Sequence, residues 1–408
     1  MNPLFSSQHN GWKRDGWPAQ WSARRRHDAF MLLILLLCGS ALIAVLTAAP
    51  FRGPGKESGF SALPGSASPG SASVSTVNAT PVVLAPRATF VSTPQAQVHS
   101  FGQTNPGLMQ PAVDAHGNLW VGEMAANRLA RLDVSTGQVS TWEVPEGKSG
   151  IMSTTIDKEG MVWFVEQNAN YVGRFDSVKE RFQTFPLGTI HQRPMGPQSL
   201  QFDAAGQLWF TAANSGDIGQ LNPTTGRIQT WPVPAPISGA PPVPFSLTVT
   251  LAGQVWFGYF TGGTVGHLDP TTGRVTLFPL GAEQATIFSI TADRNERIWF
   301  TELLPGRLGM IDPATKRITL FSVPSRQNAP NTPNTPPALY GLVAAPDGAI
   351  WFANNTASAL VRYRPDQAAY TFFALPLTSA PYGLTFDPAG KGKVWFTSLG
   401  SAGELLSP

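Results

Sequence analysis

From residue 96 onward, short apolar runs alternate with clusters of turn formers, and the alternation itself repeats. One unit, FSITADRNERIWFTELLPGRLGMIDPATKRITLFSVP at 288–324, shows the pattern, with apolar runs at 287–291, 297–301, 308–312 and 317–321 divided by Asp, Asn, Gly and Pro. Runs of this length bounded by turn formers predict four antiparallel strands, A to D. No run has the length and 3.6-residue period of a sizeable helix. The strand B phrase recurs seven times, as NLWVGE, MVWFVE, QLWFTA, QVWFGY, RIWFTE, AIWFAN and KVWFTS. Its tryptophans, Trp120, Trp163, Trp209, Trp256, Trp299, Trp351 and Trp395, are spaced 43, 46, 47, 43, 52 and 44 residues apart. Four short strands per period of about 40–50 residues are the signature of propeller blades. The predicted fold is all-β, a seven-bladed β-propeller of four-stranded blades.

The two ends of the repeat array predict how the ring closes. The seventh unit stops in a third strand around 403–408, whereas Ala96-Gln97-Val98-His99-Ser100-Phe101 precedes the first unit as a strand D precedes the next blade. Pairing these segments gives a Velcro-type closure that removes two exposed edges. The turns repeat too, as Asp-Pro-Thr-Thr-Gly at 269–273, Asn-Pro-Thr-Thr-Gly at 222–226 and Asp-Pro-Ala-Thr at 312–315. Asx acceptance and the preset φ of Pro make these turns, so their acids read as structural, as do Asp114, Asp157, Asp203 and Asp387.

Upstream, Ala29 to Ala49 is a 21-residue run without a charge, preceded by Arg24-Arg25-Arg26. As a helix it would span about 31 Å, matching a bilayer core of about 30 Å. The positive-inside rule then keeps residues 1–28 in the cytoplasm. The expected arrangement is a single-pass transmembrane helix at 29–49, a flexible Gly/Ser/Pro-rich linker at 50–85 and a propeller at 86–408 held outside the cytoplasm at the cell membrane. The alternative is a signal sequence cleaved near Thr47-Ala48-Ala49, followed by secretion.

Composition narrows the chemistry. Cys38 is the sole cysteine, which removes a disulfide framework, a cysteine zinc site and thiol redox chemistry. Residues 1–85 carry a net charge of +4 and residues 86–408 a net of −1, so the basic pI of about 9.1 belongs to the N-terminal segment. A neutral ring lacks the clustered basic face of a nucleic-acid binder.

The units, with Gly-x-Leu/Ile/Val-Trp-Phe-x-Glu followed by a Leu/Ile/Val-Gly-x-Leu/Ile/Phe-Asp strand, resemble those of streptogramin (virginiamycin B) lyases and, more distantly, gluconolactonase-like propellers. The resemblance covers residues 96–408. It implies histidines at the start of the innermost strand, where an imidazole removes a carbon-bound proton so that an ester of a cyclic depsipeptide is eliminated. It also implies glutamates at the end of strand B, one helping to hold magnesium. At the histidine position stand Met109, Met152, Gln198, Phe245, Phe288, Tyr340 and Tyr382, and none is histidine. At the strand B position stand Glu123, Glu166, Ala212, Tyr259, Glu302, Asn354 and Ser398.

Two functional readings follow. In the first the propeller is a ligand- or partner-binding module. Its mouth is lined by Phe245, Tyr259, Phe288, Tyr340, Tyr382, Met109, Met152 and Asn354, and the connections at 232–244 and 324–338 form walls or lids for a small-molecule or peptide ligand. In the second it is a metal-assisted lyase or hydrolase, with Glu123 and Glu166 holding magnesium or calcium and His191, in the loop after blade two, replacing the missing base. His116 falls in a turn on the opposite rim and His99 and His267 on outer strands, which assigns them no chemistry.

Overall fold

The apolar runs of the fifth unit become strands at Ile287–Ala292, Ile298–Glu302, Arg307–Asp312 and Arg317–Ser322, each within one residue of the pattern. The computed structural model describes residues 73–91, 96–102, 106–147, 150–190, 192–236, 241–282, 284–325, 336–376, 379–387, 392–398 and 400–405. Within them seven blade sheets follow in chain order: blades one to six at 112–143, 151–186, 197–232, 244–279, 287–322 and 339–374, and blade seven at 384–405, with a two-stranded sheet of Thr189–Ile190 and Arg193–Pro194 between blades two and three. Blade seven receives its fourth strand from Ala96–Ser100, which runs antiparallel to Ser401–Leu405 with Ser401 opposite Ser100 and Leu405 opposite Ala96. The described residues contain no helix. The apolar run at 29–49 lies outside them, as does His191.

Two recurring contacts explain why the unit repeats as it does, and a third feature lies outside the repeat. The indole N–H of strand B donates to the aspartate six residues earlier in the A–B turn: Trp120 to Asp114 at 2.9 Å, Trp163 to Asp157 at 2.7 Å, Trp209 to Asp203 at 2.8 Å and Trp299 to Asp293 at 2.9 Å. The other oxygen of the same aspartate takes turn amides, as Asp157 does from Glu159 and Met161. One acid thus satisfies a buried indole and closes a turn, which bears out the structural reading of Asp114, Asp157 and Asp203.

The second contact is between strand B phenylalanine and strand C glycine. Phe164, Phe210, Phe257, Phe300 and Phe396 stand directly opposite Gly173, Gly219, Gly266, Gly309 and Gly403. A Cβ on Gly309 would lie 2.1 Å from Phe300 Cζ, so the ring fills the space that the missing side chain leaves. In blade one the pair is Val121 and Ala130, a smaller residue against a larger one. These rings and the tryptophans form the seams between blades, which are the hydrophobic core of the ring.

The third feature differs from the sequence reading. Val74–Thr76, Val82–Leu84 and Arg87–Val91 add in parallel to the outermost strands of blades four, five and six, with Val74 opposite Val275, Val82 opposite Thr319 and Arg87 opposite Ala369. A hydrogen bond between the Ser75 and Thr276 hydroxyls at 3.0 Å and stacking of Phe90 on Phe372 at 4.6 Å hold this belt. The first two of these strands fall within the stretch read as linker. Short β-branched triplets between prolines are enough to extend an existing sheet by main-chain pairing, although the Gly/Ser/Pro composition around them reads as coil.

Candidate functional site

The seven innermost strands line the central channel, and strand B of one blade fixes the entrance residue of the next. Thr211 Oγ1 donates to the Phe245 carbonyl at 3.1 Å, Thr301 Oγ1 to that of Tyr340 at 2.7 Å and Thr397 Oγ1 to that of Met109 at 2.9 Å. The threonine in the repeated Trp-Phe-Thr phrase therefore positions the neighbouring blade's residue at the mouth.

Met109, Met152, Gln198, Phe245, Phe288 and Tyr382 line one cavity of about 370 Å³ running along the channel. The column read from the spacing to the tryptophans thus converges. Its aromatic half is a connected cluster: Phe245 lies 5.4 Å from Phe288, Phe288 lies 5.1 Å from Tyr382 at 87°, and Tyr340 packs on both Phe288 and Tyr382 at 4.7 and 5.0 Å. Tyr340 is buried behind the other two rings rather than on the cavity wall. Tyr382 reaches the methionine side through the cluster that holds Met109, Met152 and Met195.

Deeper in the channel the wall turns polar without becoming charged. Gln110 Nε2 donates to the Leu384 carbonyl at 2.5 Å, and Gln201 bridges to the next blade by accepting the Val249 amide at 3.2 Å. Gln198 behaves differently: it is 7% exposed and its Oε1 has no hydrogen-bond partner. Among the described residues no Asp, Glu, Lys, Arg or His lines the cavity. The polar wall was not singled out from sequence, although it follows from the strand A positions just beyond the column.

Tyr259 and Asn354 stand elsewhere. Tyr259 is fully buried in the seam of blades three and four, donates its hydroxyl to the Pro234 carbonyl at 2.6 Å and lies edge-on to Phe257 at 5.2 Å. Burial pushes its phenol well above the ordinary range. Asn354 Oδ1 accepts from the Ala357 amide at 3.2 Å and the Thr356 hydroxyl at 3.1 Å, so it closes its own B–C turn. The physical reason is the strand period of two: the last strand B residue shares a face with the phenylalanine two positions earlier, and that face packs into the seam rather than the channel.

The three strand B glutamates occupy the same seam position, and their surroundings separate them. Glu123 accepts from Arg128 Nε at 2.7 Å, and Glu302 pairs with Arg307, whose second contact is 3.0 Å. In both cases the arginine is the residue directly opposite across the B–C turn. Opposite Glu166 stands Tyr171, and both Glu166 carboxyl oxygens are buried with no hydrogen-bond partner. Burial, with the Glu146 carboxylate as a smaller influence, pushes the Glu166 carboxyl from an ordinary 4.5 up to about 8. His267 stacks on Trp256 at 4.5 Å and bonds Gln254 at 2.8 Å, a packing role in which burial lowers its pKa.

A magnesium or calcium site of the kind the strand B glutamates suggest does not fit these residues. Arginines hold two of the three carboxylates, the third favours its neutral form, and no group of three or more candidate ligands exists among the described residues.

The sequence model of the virginiamycin B lyase family matches residues 88–337. A catalytically inactive histidine-to-alanine variant of virginiamycin B lyase from Staphylococcus aureus, solved with quinupristin, is 22% identical with a TM-score of 0.66, covering 78% of this chain and 100% of that one. A streptogramin B lyase structure is 25% identical with a TM-score of 0.66, covering 76% and 96%. YCF48 bound to D1 peptide shares the fold at 12% identity and a TM-score of 0.59, covering 79% and 98%. No curated protein matches the chain.

Proposed function

The chain belongs to the virginiamycin B lyase family, and from that premise we propose that its ring binds a ligand in the central channel without catalysing the family's elimination. The observation that carries this reading is the column of Met109, Met152, Gln198, Phe245, Phe288, Tyr340 and Tyr382: no histidine stands in it, and among the described residues that line the cavity none is Asp, Glu, Lys, Arg or His. A positioned general base contributes about 10²–10⁴ in rate. Methionine, phenylalanine and glutamine cannot take a carbon-bound proton, and an unperturbed phenol with a pKa near 10 stays protonated at pH 7. The seam position of the strand B glutamates supports the same reading, because they face packed side chains rather than the channel.

The 21-residue apolar run and the arginines before it support a tether that holds the ring outside the cytoplasm. Retention of the full chain in a membrane fraction, with activity of a C-terminal reporter that works only outside the cytoplasm, tests this. Release of a form starting near Pro50 refutes it.

The catalytic test is incubation of the purified full chain with quinupristin, with and without magnesium, followed by chromatographic separation and fragmentation mass spectrometry, because elimination opens the ring without changing the mass. No linearisation is expected. Turnover lost in His191→Ala would make that histidine the relocated base. Turnover that survives His191→Ala and disappears in Glu166→Gln would establish a lyase working through the glutamate.

A further inference from the structure

The chemistry of the channel wall narrows the ligand, resting on the reading above that the channel binds one. The cavity of about 370 Å³ is near the low end for ligand sites, about 300–1,000 Å³. A cavity of this size suits one or two rings inside the channel itself.

Charge sets the next limit. With no Asp, Glu, Lys, Arg or His among the described lining residues, a charged guest would give up its hydration with no counter-charge to replace it. The aromatic half brings rings but no counter-charge, with Phe288 packed at 64° to Tyr340 and 87° to Tyr382. What the half does offer is area for a ring, flanked by the polarisable sulfurs of Met109 and Met152.

Polarity is then decided by Gln198. The other two channel glutamines spend their amides on neighbouring strands, whereas Gln198, in the same column as the rings, holds a buried Oε1 without a partner. A buried acceptor left unmade is costly, and Oε1 is closed to solvent in this conformation, so a guest that supplies an N–H or O–H as the Gln198 amide turns toward the cavity makes the bond that the buried oxygen lacks. We propose that the channel is a site for a small, neutral, ring-containing molecule that draws the Gln198 side chain toward the cavity and donates a hydrogen bond to its Oε1 while its ring lies against Phe245, Phe288 and Tyr382.

Four probes of nearly one shape test each part: benzamide is neutral with an N–H donor, toluene is neutral without one, benzoate is anionic and benzamidinium cationic. Binding to the full chain is measured by ligand-observed NMR titration in the millimolar range. Benzamide is expected to bind at least tenfold more tightly than either ion, and about three- to tenfold more tightly than to Gln198→Met, the value of one net hydrogen bond. Methionine fills the same column in blades one and two, so this variant keeps the packing. Toluene should not distinguish wild type from Gln198→Met. Benzoate or benzamidinium binding as tightly as benzamide, an unchanged benzamide affinity in Gln198→Met, or no binding of any probe overturns the proposal. Quinupristin turnover would defeat the non-catalytic reading and leave this ranking untouched, so the two failures are distinguishable.

Discussion

Replacing Glu166 by glutamine should make the propeller more stable at pH 7 and leave it nearly unchanged at pH 5. The carboxyl is fully buried, unpaired and pushed up to about 8 by burial and then by Glu146, against an ordinary 4.5. The sign follows from proton binding. A folded state that holds a proton more tightly than the unfolded chain loses stability as pH rises from the unfolded pKa to the folded one, and becomes flat beyond it. At pH 7 the loss is about 2.5 units at 1.36 kcal/mol each, or roughly 3.4 kcal/mol; above pH 8 it levels at about 5 kcal/mol. With an unfolding entropy of about 2.1 cal/mol/K per residue over a ring of roughly 330 residues, 3.4 kcal/mol corresponds to about 5 °C in Tm and the plateau to about 7 °C. Glutamine brings its own buried amide, which adds an offset that does not vary with pH. The diagnostic quantity is therefore the slope. Thermal unfolding followed by circular dichroism at pH 5, 7 and 9 should show the Glu166→Gln minus wild-type difference rising with pH. Tyr171→Arg, which installs the partner that Arg128 and Arg307 supply in their blades, should flatten the wild-type profile. A difference constant from pH 5 to 9 would refute the account of this carboxyl.

Three further outcomes are expected. Gly309→Ala places a Cβ about 2.1 Å from Phe300 Cζ and should cost roughly 1–3 kcal/mol by overpacking. Adding Phe300→Val, which recreates the Val121 and Ala130 arrangement of blade one, should recover part of that in a double-mutant cycle, and additive losses would show that the ring and the glycine are not coupled. Deleting residues 73–91 strips the parallel strands from blades four, five and six and should lower Tm, whereas deleting 54–72 should not; equal melting of the two deletions would mean that the belt does not stabilise the ring. Millimolar magnesium or calcium should leave Tm unchanged at pH 7, and a rise abolished by Glu166→Gln would reinstate a metal at that carboxylate.

What was legible in the sequence divides along a physical line. Tryptophan spacing marked the blades because the strand B phrase recurs locally in every unit, and in four of them the indole also binds an aspartate six residues earlier in the A–B turn. The channel column followed because the same spacing of eleven residues to the tryptophan runs through the A–B turn in six units, and lengthens to thirteen only in the seventh. The belt was hidden because its pairing partners lie about 200 to 280 residues downstream, as in Val74 with Val275 and Arg87 with Ala369, and three-residue strands have no period of their own. The strand B position misled for a different reason. Counting residues after the tryptophan places Glu123, Glu166, Glu302, Tyr259 and Asn354 in one set, but alternation puts all of them on the face that enters the seam. Once there, the residue opposite decides the chemistry. Glu123 meets Arg128 and Glu302 meets Arg307 as ion pairs, while Glu166 meets Tyr171 and keeps its proton. That rule is written in the sequence as a spacing of five across the B–C turn. It separates a carboxylate neutralised in place from one whose charge state is set by burial, before any question of metal or catalysis arises.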